Sequence, residues 1–291
     1  MRIERLAVVG IGLIGGSFAA ALKRAGTVRR VIGIGRRRAN LVDALRLGIV
    51  NEVTTDVAEG VRGADFVLLA MPVGQMGAVM DAIAPVLAPH AVVTDAGSTK
   101  RDVVANARTH FASALDRFVP AHPIAGSEKT GAAAANASLF ADRNVILTPL
   151  PENHADAVAL AREAWLACGA RVSEMSPEDH DDALGVVSHL PHVLAFALVD
   201  MVAGRADAEL LFGLAAGGFR DFTRIASSSP EMWRDICLAN RDAIGAVLAD
   251  YQSELALVAR LLAEGDGAVL ERVFARARDA RDAWLRGKSS H

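Results

Sequence analysis

At 291 residues the chain is long enough for one large or two modest domains with substantial cores, and its 52% hydrophobic and 22% charged residues are those of a globular protein. A formal net charge of −3 offers no footing for nucleic acid or an acidic membrane surface, so a small molecule is the expected partner. Cys168 and Cys237 stand far apart with no Cys/His cluster nearby, which argues against a zinc site or a disulfide framework and fits a cytoplasmic chain without a metal.

The first apolar run begins almost at Met1, leaving no room for a signal peptide, and leads into Gly10-Ile-Gly12-Leu13-Ile14-Gly15. A Gly-x-Gly-x-x-Gly turn between a strand and a helix is a dinucleotide-binding signature. Gly10 permits the tight turn, Gly12 lets the backbone approach a pyrophosphate, and Gly15 lets the helix pack on the strand. The helix start near Leu13 and Ile14 then offers free N–H groups to the phosphates.

Further short apolar runs at 31–34, 66–69, 91–94, 118–120, 145–148 and 170–173 read as strands. Stretches 17–24, 38–47, 77–84, 100–108 and 156–168 have helical spacing. This alternation predicts an α/β, doubly wound parallel sheet covered by helices on both faces over residues 1–175. Strand 2 ends in Gly35-Arg36-Arg37-Arg38 with no carboxylate to accept a ribose 2′-hydroxyl. Guanidinium forks at Arg36 and Arg37 suit a 2′-phosphate, which favours NADP over NAD. The arginines also read as the solvated start of the next helix, with NAD still accepted.

Two segments follow the carboxyl ends of strands, where open α/β sheets bind ligands: Asp95-Ala-Gly97-Ser98-Thr99-Lys100 and His122-Pro-Ile-Ala-Gly126-Ser127-Glu128. A histidine before proline in a loop is poorly placed as core filler. A neutral His122 can accept a proton, with Ser98 bonding the same substrate oxygen; a structural loop role is the alternative.

Ser176-Pro177 with acidic residues behind it marks a helix start and a domain boundary, and residues 176–291 read as three or four long helical segments forming an all-α domain. The uncharged stretch 183–199 is interrupted by His189, Pro191 and His192, so it is expected to be a buried helix and not a membrane span. His189 and His192 share a helix face and Pro191 kinks the helix, freeing a carbonyl near Val187. A metal pair and two histidines satisfied in a helix interface both fit. Farther on, Gly218-Phe-Arg-Asp221-Phe-Thr-Arg224 and Trp233 follow. Arg224 can hold a carboxylate bidentately, or only pair with Asp221 at the surface.

Taken in order, Asp95-x-Gly-Ser98-x-Lys, His122-Pro-x-Ala-Gly-x-Glu128, Ser188-His189-Leu-Pro-His192 and Gly218-Phe-x-Asp221-x-Thr-Arg224 resemble the prephenate and arogenate dehydrogenases of tyrosine biosynthesis. The resemblance implies oxidative decarboxylation of a cyclohexadienol with NAD(P) reduction. It implies His122 as the base for the ring 4-hydroxyl and Ser98 as its hydrogen-bond partner. By the same resemblance Arg224 binds a substrate carboxylate, His192 assists, Glu128 orients or gates, and His189 and Trp233 belong to the pocket. It also implies a homodimer built through the helical domain, which suits apolar helices too large to bury in a monomer.

No fused mutase or regulatory domain is expected, so inhibition by tyrosine would act at the active site. The absence of an obvious carboxylate for an ammonium group modestly favours prephenate, while the arginines lean toward arogenate-using relatives; a dual-substrate enzyme fits both. A 3-hydroxyacid dehydrogenase would need a lysine on the first helix of the second domain, and residues 176–204 hold none. A non-catalytic nucleotide sensor would need none of Ser98, His122, His192 and Arg224.

Overall fold

The computed structural model describes residues 2–127 and 129–289, and these fall into two compact units, one ending at Ala243 and one beginning at Ile244. In the first unit, strands β1 (Ile3–Val9), β2 (Val28–Ile34), β3 (Glu52–Thr54), β4 (Phe66–Leu69), β5 (Val92–Asp95) and β6 (Phe118–Val119) form one parallel sheet in the order β3-β2-β1-β4-β5-β6. The strand order reverses between β1 and β4, so the carboxyl ends of these two strands border the crevice where such sheets take ligands.

The alternation of side chains along each strand divides the core cleanly. Leu6 and Val8 of β1 and Phe66 and Leu68 of β4 pack on one face, with Phe18, Phe140 and Trp165. Ala7 and Val9, with Val67 and Leu69, pack on the other, with Met76, Met80, Phe111 and Phe118. Strands buried on both faces therefore read as continuous apolar runs, as parallel strands should. The Phe18 and Trp165 rings meet edge to face at 4.7 Å, a geometry worth about 0.5–1.5 kcal/mol beyond area burial.

Helices α1 (Leu13–Arg24), α2 (Arg38–Arg46), α3 (Val57–Val61), α4 (Met76–Ile83), α5 (Arg101–His110) and α6 (Ala155–Ala167) connect the strands. The runs at 145–148 and 170–173 do not join the large sheet. They become β8 (Asn144–Leu147) and β9 (Arg171–Glu174) of a second sheet, in which β7 (Ala121–Pro123) pairs antiparallel with β8 and β8 parallel with β9. Pro120 separates β6 from β7, and Thr148 donates its amide to the Pro120 carbonyl at 3.0 Å, so the chain passes from one sheet to the other within a single residue. His122 consequently lies in a strand, opposite Ile146, and not in the loop expected.

No strand follows β9 among the described residues. The first unit continues through α7 (Pro177–Leu184), α8 (Leu190–Ala203), α9 (Ala208–Leu214), α10 (Gly217–Thr223) and α11 (Pro230–Ala239) into α12 (Arg241–Glu264). Ser176 caps α7 by accepting the Asp179 amide at 3.0 Å with Pro177 in the first turn, and Ser229 caps α11 before Pro230 in the same way. The three or four long segments expected are cut into shorter ones because Gly204 ends α8, Ala215 and Ala216 turn extended, and Ser229-Pro230 starts a new helix.

The second unit holds most of α12 and α13 (Gly267–Ser289). Gly265 at φ +69° ends α12, and Asp266 caps α13 through the Val269 amide at 3.0 Å.

The helical run 177–203 is long and apolar enough, by length and composition, to cross a membrane. Within 183–199 only Leu184, Gly185, His189, Leu190 and Ala195 are buried, so this segment is not the buried helix expected. It is apolar around its circumference, whereas packing inside the unit covers one stripe; Val186, Val187 and Met201 remain exposed. Pro191 falls in the first turn of α8, and the strain it would cause is taken up before it by a π-helical turn at Gly185–His189.

Candidate active site

The carboxyl ends of β1, β4 and β5 open on a cavity of about 390 Å³. Gly12, Leu13, Ile14, Ser98 and His122 line it together with Met232 of α11. The glycine turn at its floor shows a separate reason for each glycine. Gly10 has φ +98°, and a Cβ there would stand 2.2 Å from the Ala70 carbonyl oxygen. A Cβ on Gly15 would stand 2.2 Å from the Gly10 carbonyl oxygen and 2.8 Å from Val8 Cγ1, so α1 touches β1 only because Gly15 has no side chain. Gly12 faces open space, with nothing within 4 Å of its Cβ position. The helix behind it starts without a side-chain cap and without an acidic residue in its first turn. This is the cradle that a dinucleotide pyrophosphate requires: an approachable backbone and uncapped N–H groups.

Asn40 adds a support that the sequence did not advertise. Its amide NH₂ donates to the Ile11 carbonyl and its oxygen accepts the Ala132 amide at 2.7 Å, tying the glycine turn to the loop beyond β7. Arg36 and Arg37 lie exposed at the end of β2, outside the cavity lining, and no carboxylate stands among the residues from Gly33 to Arg38.

On the other side, Ser98 and His122 are set by a buried ion pair. Asp95 ends β5; its Oδ1 accepts the Ala121 amide at 2.9 Å and its Oδ2 accepts the Gly97 amide at 2.7 Å. Lys100, fully buried, donates from Nζ to Asp95 Oδ2 and to the Ala121 carbonyl at 2.8 Å. One carboxylate thereby holds the turn carrying Ser98 and the strand carrying His122.

His122 Nδ1 lies 2.9 Å from His180 Nε2, and His180 Nδ1 lies 2.8 Å from Asp181 Oδ1. Asp181 Oδ1 and Oδ2 also accept the amides of Lys100 (2.7 Å) and Arg101 (2.9 Å) at the start of α5. Burial, reinforced by the neighbouring His180 and the positive Lys100, pushes His122 well below the usual histidine value. Burial lowers His180 too, against the pull of Asp181. Burial would raise the Asp181 carboxyl, but the bonds from His180 and the two amides hold it below the usual carboxylate value. Both imidazoles are therefore neutral at neutral pH.

His189 and His192 flank Trp233: His192 stacks on the indole at 3.7 Å and 19°, and His189 meets it at 6.0 Å and 75°. Burial pushes His189 down to about 4, with Asp181 opposing and the Ser98 backbone within hydrogen-bond reach. Asn240, at the end of α11, donates to the Asp181 carbonyl at 2.7 Å and contacts His189 Nδ1 at 3.1 Å. Burial also lowers His192, assisted by the positive charge of Arg224, while Ser188 carbonyl bonding to its Nδ1 at 2.8 Å resists. Arg224 itself is exposed and lies outside the cavity lining. No cluster able to hold a metal ion occurs among the described residues. Glu128 lies outside the described residues.

The structure thus brings together the glycine turn, Ser98 and His122, and sets His189, His192 and Trp233 in a second cluster joined to them through Asn240 and Asp181. Sequence reasoning missed His180, Asp181 and Asn240. His180 and Asp181 follow a Ser-Pro helix start, where acidic residues are expected anyway, and only their burial distinguishes them.

The chain matches two family models: prephenate dehydrogenase, nucleotide-binding domain, over residues 18–174, and prephenate dehydrogenase, dimerization domain, over residues 176–276. A cyclohexadienyl dehydrogenase of Zymomonas mobilis is 37% identical over 96% of this chain and 95% of its own length. A prephenate dehydrogenase of Bacillus subtilis is 39% identical over 96% of this chain and 76% of its own. Among solved structures, prephenate dehydrogenase from A. aeolicus in complex with hydroxyphenyl propionate and NAD+ superposes with a TM-score of 0.87 at 36% identity, covering 94% of this chain and 96% of that one.

Proposed function

Since the chain belongs to the prephenate dehydrogenase family, we infer that it oxidatively decarboxylates prephenate to 4-hydroxyphenylpyruvate, in tyrosine biosynthesis, with reduction of a nicotinamide cofactor. The observation that carries this reading is the convergence of the glycine turn, Ser98 and His122 on one cavity. Bound nicotinamide supplies the acceptor for the hydride that leaves the ring carbinol carbon. The backbone at Gly10, Gly12, Leu13, Ile14 and Gly15 would hold the cofactor phosphates.

His122 accepts the proton of the ring 4-hydroxyl, and Ser98 hydrogen-bonds the same oxygen and aligns it. As that carbonyl forms, the bond from the quaternary ring carbon to its carboxylate breaks and carbon dioxide leaves. The electron pair moves through the ring to the carbonyl oxygen, which takes the proton back from His122; the ring becomes aromatic, which makes the step effectively irreversible. Base catalysis of this kind contributes about 10²–10⁴ in rate. A base held neutral by burial is ready at neutral pH without first losing a proton. Arg224 takes a substrate carboxylate, His192 and Trp233 form the adjoining wall, His189 supports Ser98 from behind, and Glu128 orients or gates the substrate.

A dual-substrate reading, with arogenate converted to tyrosine, is favoured by the likeness to the cyclohexadienyl enzyme. NADP is favoured as cofactor by Arg36 and Arg37 and by the lack of an acidic residue at the end of β2. The family's dimerization domain, together with the exposed Met201, Leu210, Phe212 and Leu214, supports a homodimer built through the helical segment. We read 1–175 as the dinucleotide-binding domain and 176–291 as the substrate and dimerisation domain of a cytoplasmic enzyme.

The test is an assay of the purified chain following reduced nicotinamide, with prephenate and arogenate each offered alongside NAD and NADP. Turnover is expected with prephenate, and His122→Asn should lower kcat by about 10²-fold or more with cofactor affinity nearly unchanged. No turnover in any of the four mixtures, with cofactor binding intact, would overturn the reading.

A further inference from the structure

His122 carries a constraint that its own segment does not explain. Its Nδ1 is engaged inside the protein by His180, which is fully buried, and His180 in turn meets the fully buried Asp181. We propose that His180 and Asp181 are positioning residues that fix the tautomer of His122, keeping the proton on Nδ1 and leaving Nε2 as the lone pair presented to the substrate hydroxyl. The proposal rests on the reading of His122 as the base and deepens it.

The argument is one of hydrogen-bond polarity along a chain of three groups. Asp181 is an acceptor only, since its oxygens already receive the amides of Lys100 and Arg101 at the N-terminus of α5, where the helix dipole favours a negative charge. His180 must therefore donate from Nδ1 to Asp181 Oδ1. A neutral imidazole carries one N–H, so His180 Nε2 is left as an acceptor. The group 2.9 Å from it, His122 Nδ1, must be the donor, and His122 Nε2 is free to take a proton. When it does, the substrate O–H bond breaks, an Nε2–H bond forms, and the imidazolium stays bonded through Nδ1–H to His180, with the Asp181 charge one ring farther on.

The opposite polarity would make His122 inert as a base. If Asp181 were protonated, or His180 carried both protons, His180 Nε2–H would donate to His122 Nδ1 and the proton of His122 would sit on Nε2. The other charged and titratable groups around this chain are Lys100 with its partner Asp95, His189, and, on the Asp181 side, Arg101 and Asp102 of α5. The positive Lys100 opposes a second proton on His180. Asn240 secures the far side, donating to the Asp181 carbonyl and fixing the turn of α7 that carries both residues.

The experiment is performed on the full chain labelled with ¹⁵N-histidine. The ring nitrogen shifts of His122, assigned by their loss in His122→Asn, report at neutral pH which nitrogen holds the proton. The expected result is Nδ1–H in the wild type and loss of that preference in His180→Phe. In His180→Phe, kcat with prephenate should fall by about 10²-fold, as when an outer partner that fixes a histidine's tautomer is lost, while KM and cofactor Kd change little. His180→Gln, whose amide oxygen can accept from His122 Nδ1, should recover about 10-fold of that loss. An Nε2–H tautomer in the wild type overturns the proposal, as does a His180→Phe enzyme that keeps both tautomer and kcat. The tautomer is read without substrate, so a chain with the expected tautomer but no turnover would refute the function and leave the positioning intact.

Discussion

Replacing Lys100 by methionine is expected to destabilise the protein by about 3–5 kcal/mol, the cost of removing one partner from a buried ion pair. Methionine keeps an apolar stem of similar length and removes only the ammonium group, which is fully buried against a fully buried Asp95. Two amides, from Gly97 at 2.7 Å and Ala121 at 2.9 Å, still bond the carboxylate and keep the loss from exceeding this range. They do not neutralise the charge, and the Ala121 carbonyl also loses its donor at 2.8 Å, a loss already contained in the range of about 3–5 kcal/mol because the same ammonium group makes both bonds.

Urea titration of wild type, Lys100→Met, Asp95→Asn and the double variant measures this directly. The double variant should be less destabilised than the sum of the singles, because no buried charge is left unpaired; the coupling should be about 1–3 kcal/mol. An exposed pair such as Arg46–Asp43, at 3.2 Å, serves as control and should cost about 0–1 kcal/mol. A Lys100→Met variant within 1 kcal/mol of wild type, or strictly additive singles, would refute the claim that this pair holds the turn. Asp95 bonds the residues beside both Ser98 and His122, so kcat should fall in the same variant well below its unfolding temperature.

The glycines separate fold from binding. Gly15→Ala, whose new methyl would press on the Gly10 carbonyl and Val8, should lose about 1–3 kcal/mol of stability, whereas Gly12→Ala, with open space around it, should unfold like wild type and bind nicotinamide dinucleotides more weakly; equal unfolding midpoints for the two would contradict this. His189 titrates at about 4 in the folded protein against 6.5 when unfolded, so its contribution to stability is complete above 6.5 and is lost as pH falls toward 4. That loss amounts to about 3 kcal/mol at most. Urea midpoints at pH 7 and pH 5 should therefore differ more in wild type than in His189→Asn, and equal differences would count against a depressed His189.

How much of this was legible in the sequence depended on how local the cause was. The doubly wound sheet could be read because strands buried on both faces leave continuous apolar runs such as Phe66-Val-Leu-Leu69, and the glycine turn because its requirements lie within six residues. β3 and α3 were missed: Glu52-Val53-Thr54 is half-exposed and too short to show alternation, and α3 has one turn. His122 was placed in a loop because the run 118–120 conceals a change of sheet at Pro120. Ser98 and His122 were singled out from their positions after strands, and both line the cavity. His180 and Asp181 were invisible because what makes them special is contact with residues far earlier in the chain, 58 positions for His180 and 80–81 for Asp181.

Three buried polar side chains organise the site, and each joins segments remote in sequence. Asp95 joins the Ser98 turn to the His122 strand, Asp181 joins α7 to the first amides of α5, and Asn240 joins the end of α11 to α7 and His189. An apolar core would hold these segments together equally well but would tolerate small slips between them, since burial has no direction. Hydrogen bonds to buried carboxylates do have direction, and leaving one unmade in a dry interior is costly. The docking of the helical segment on the sheet and the orientation of His122 are therefore the same event: α7 cannot satisfy the α5 amides through Asp181 without also bringing His180 to the imidazole. The tautomer proposed for His122 would then follow from the fold closing correctly, with no separate adjustment of the site.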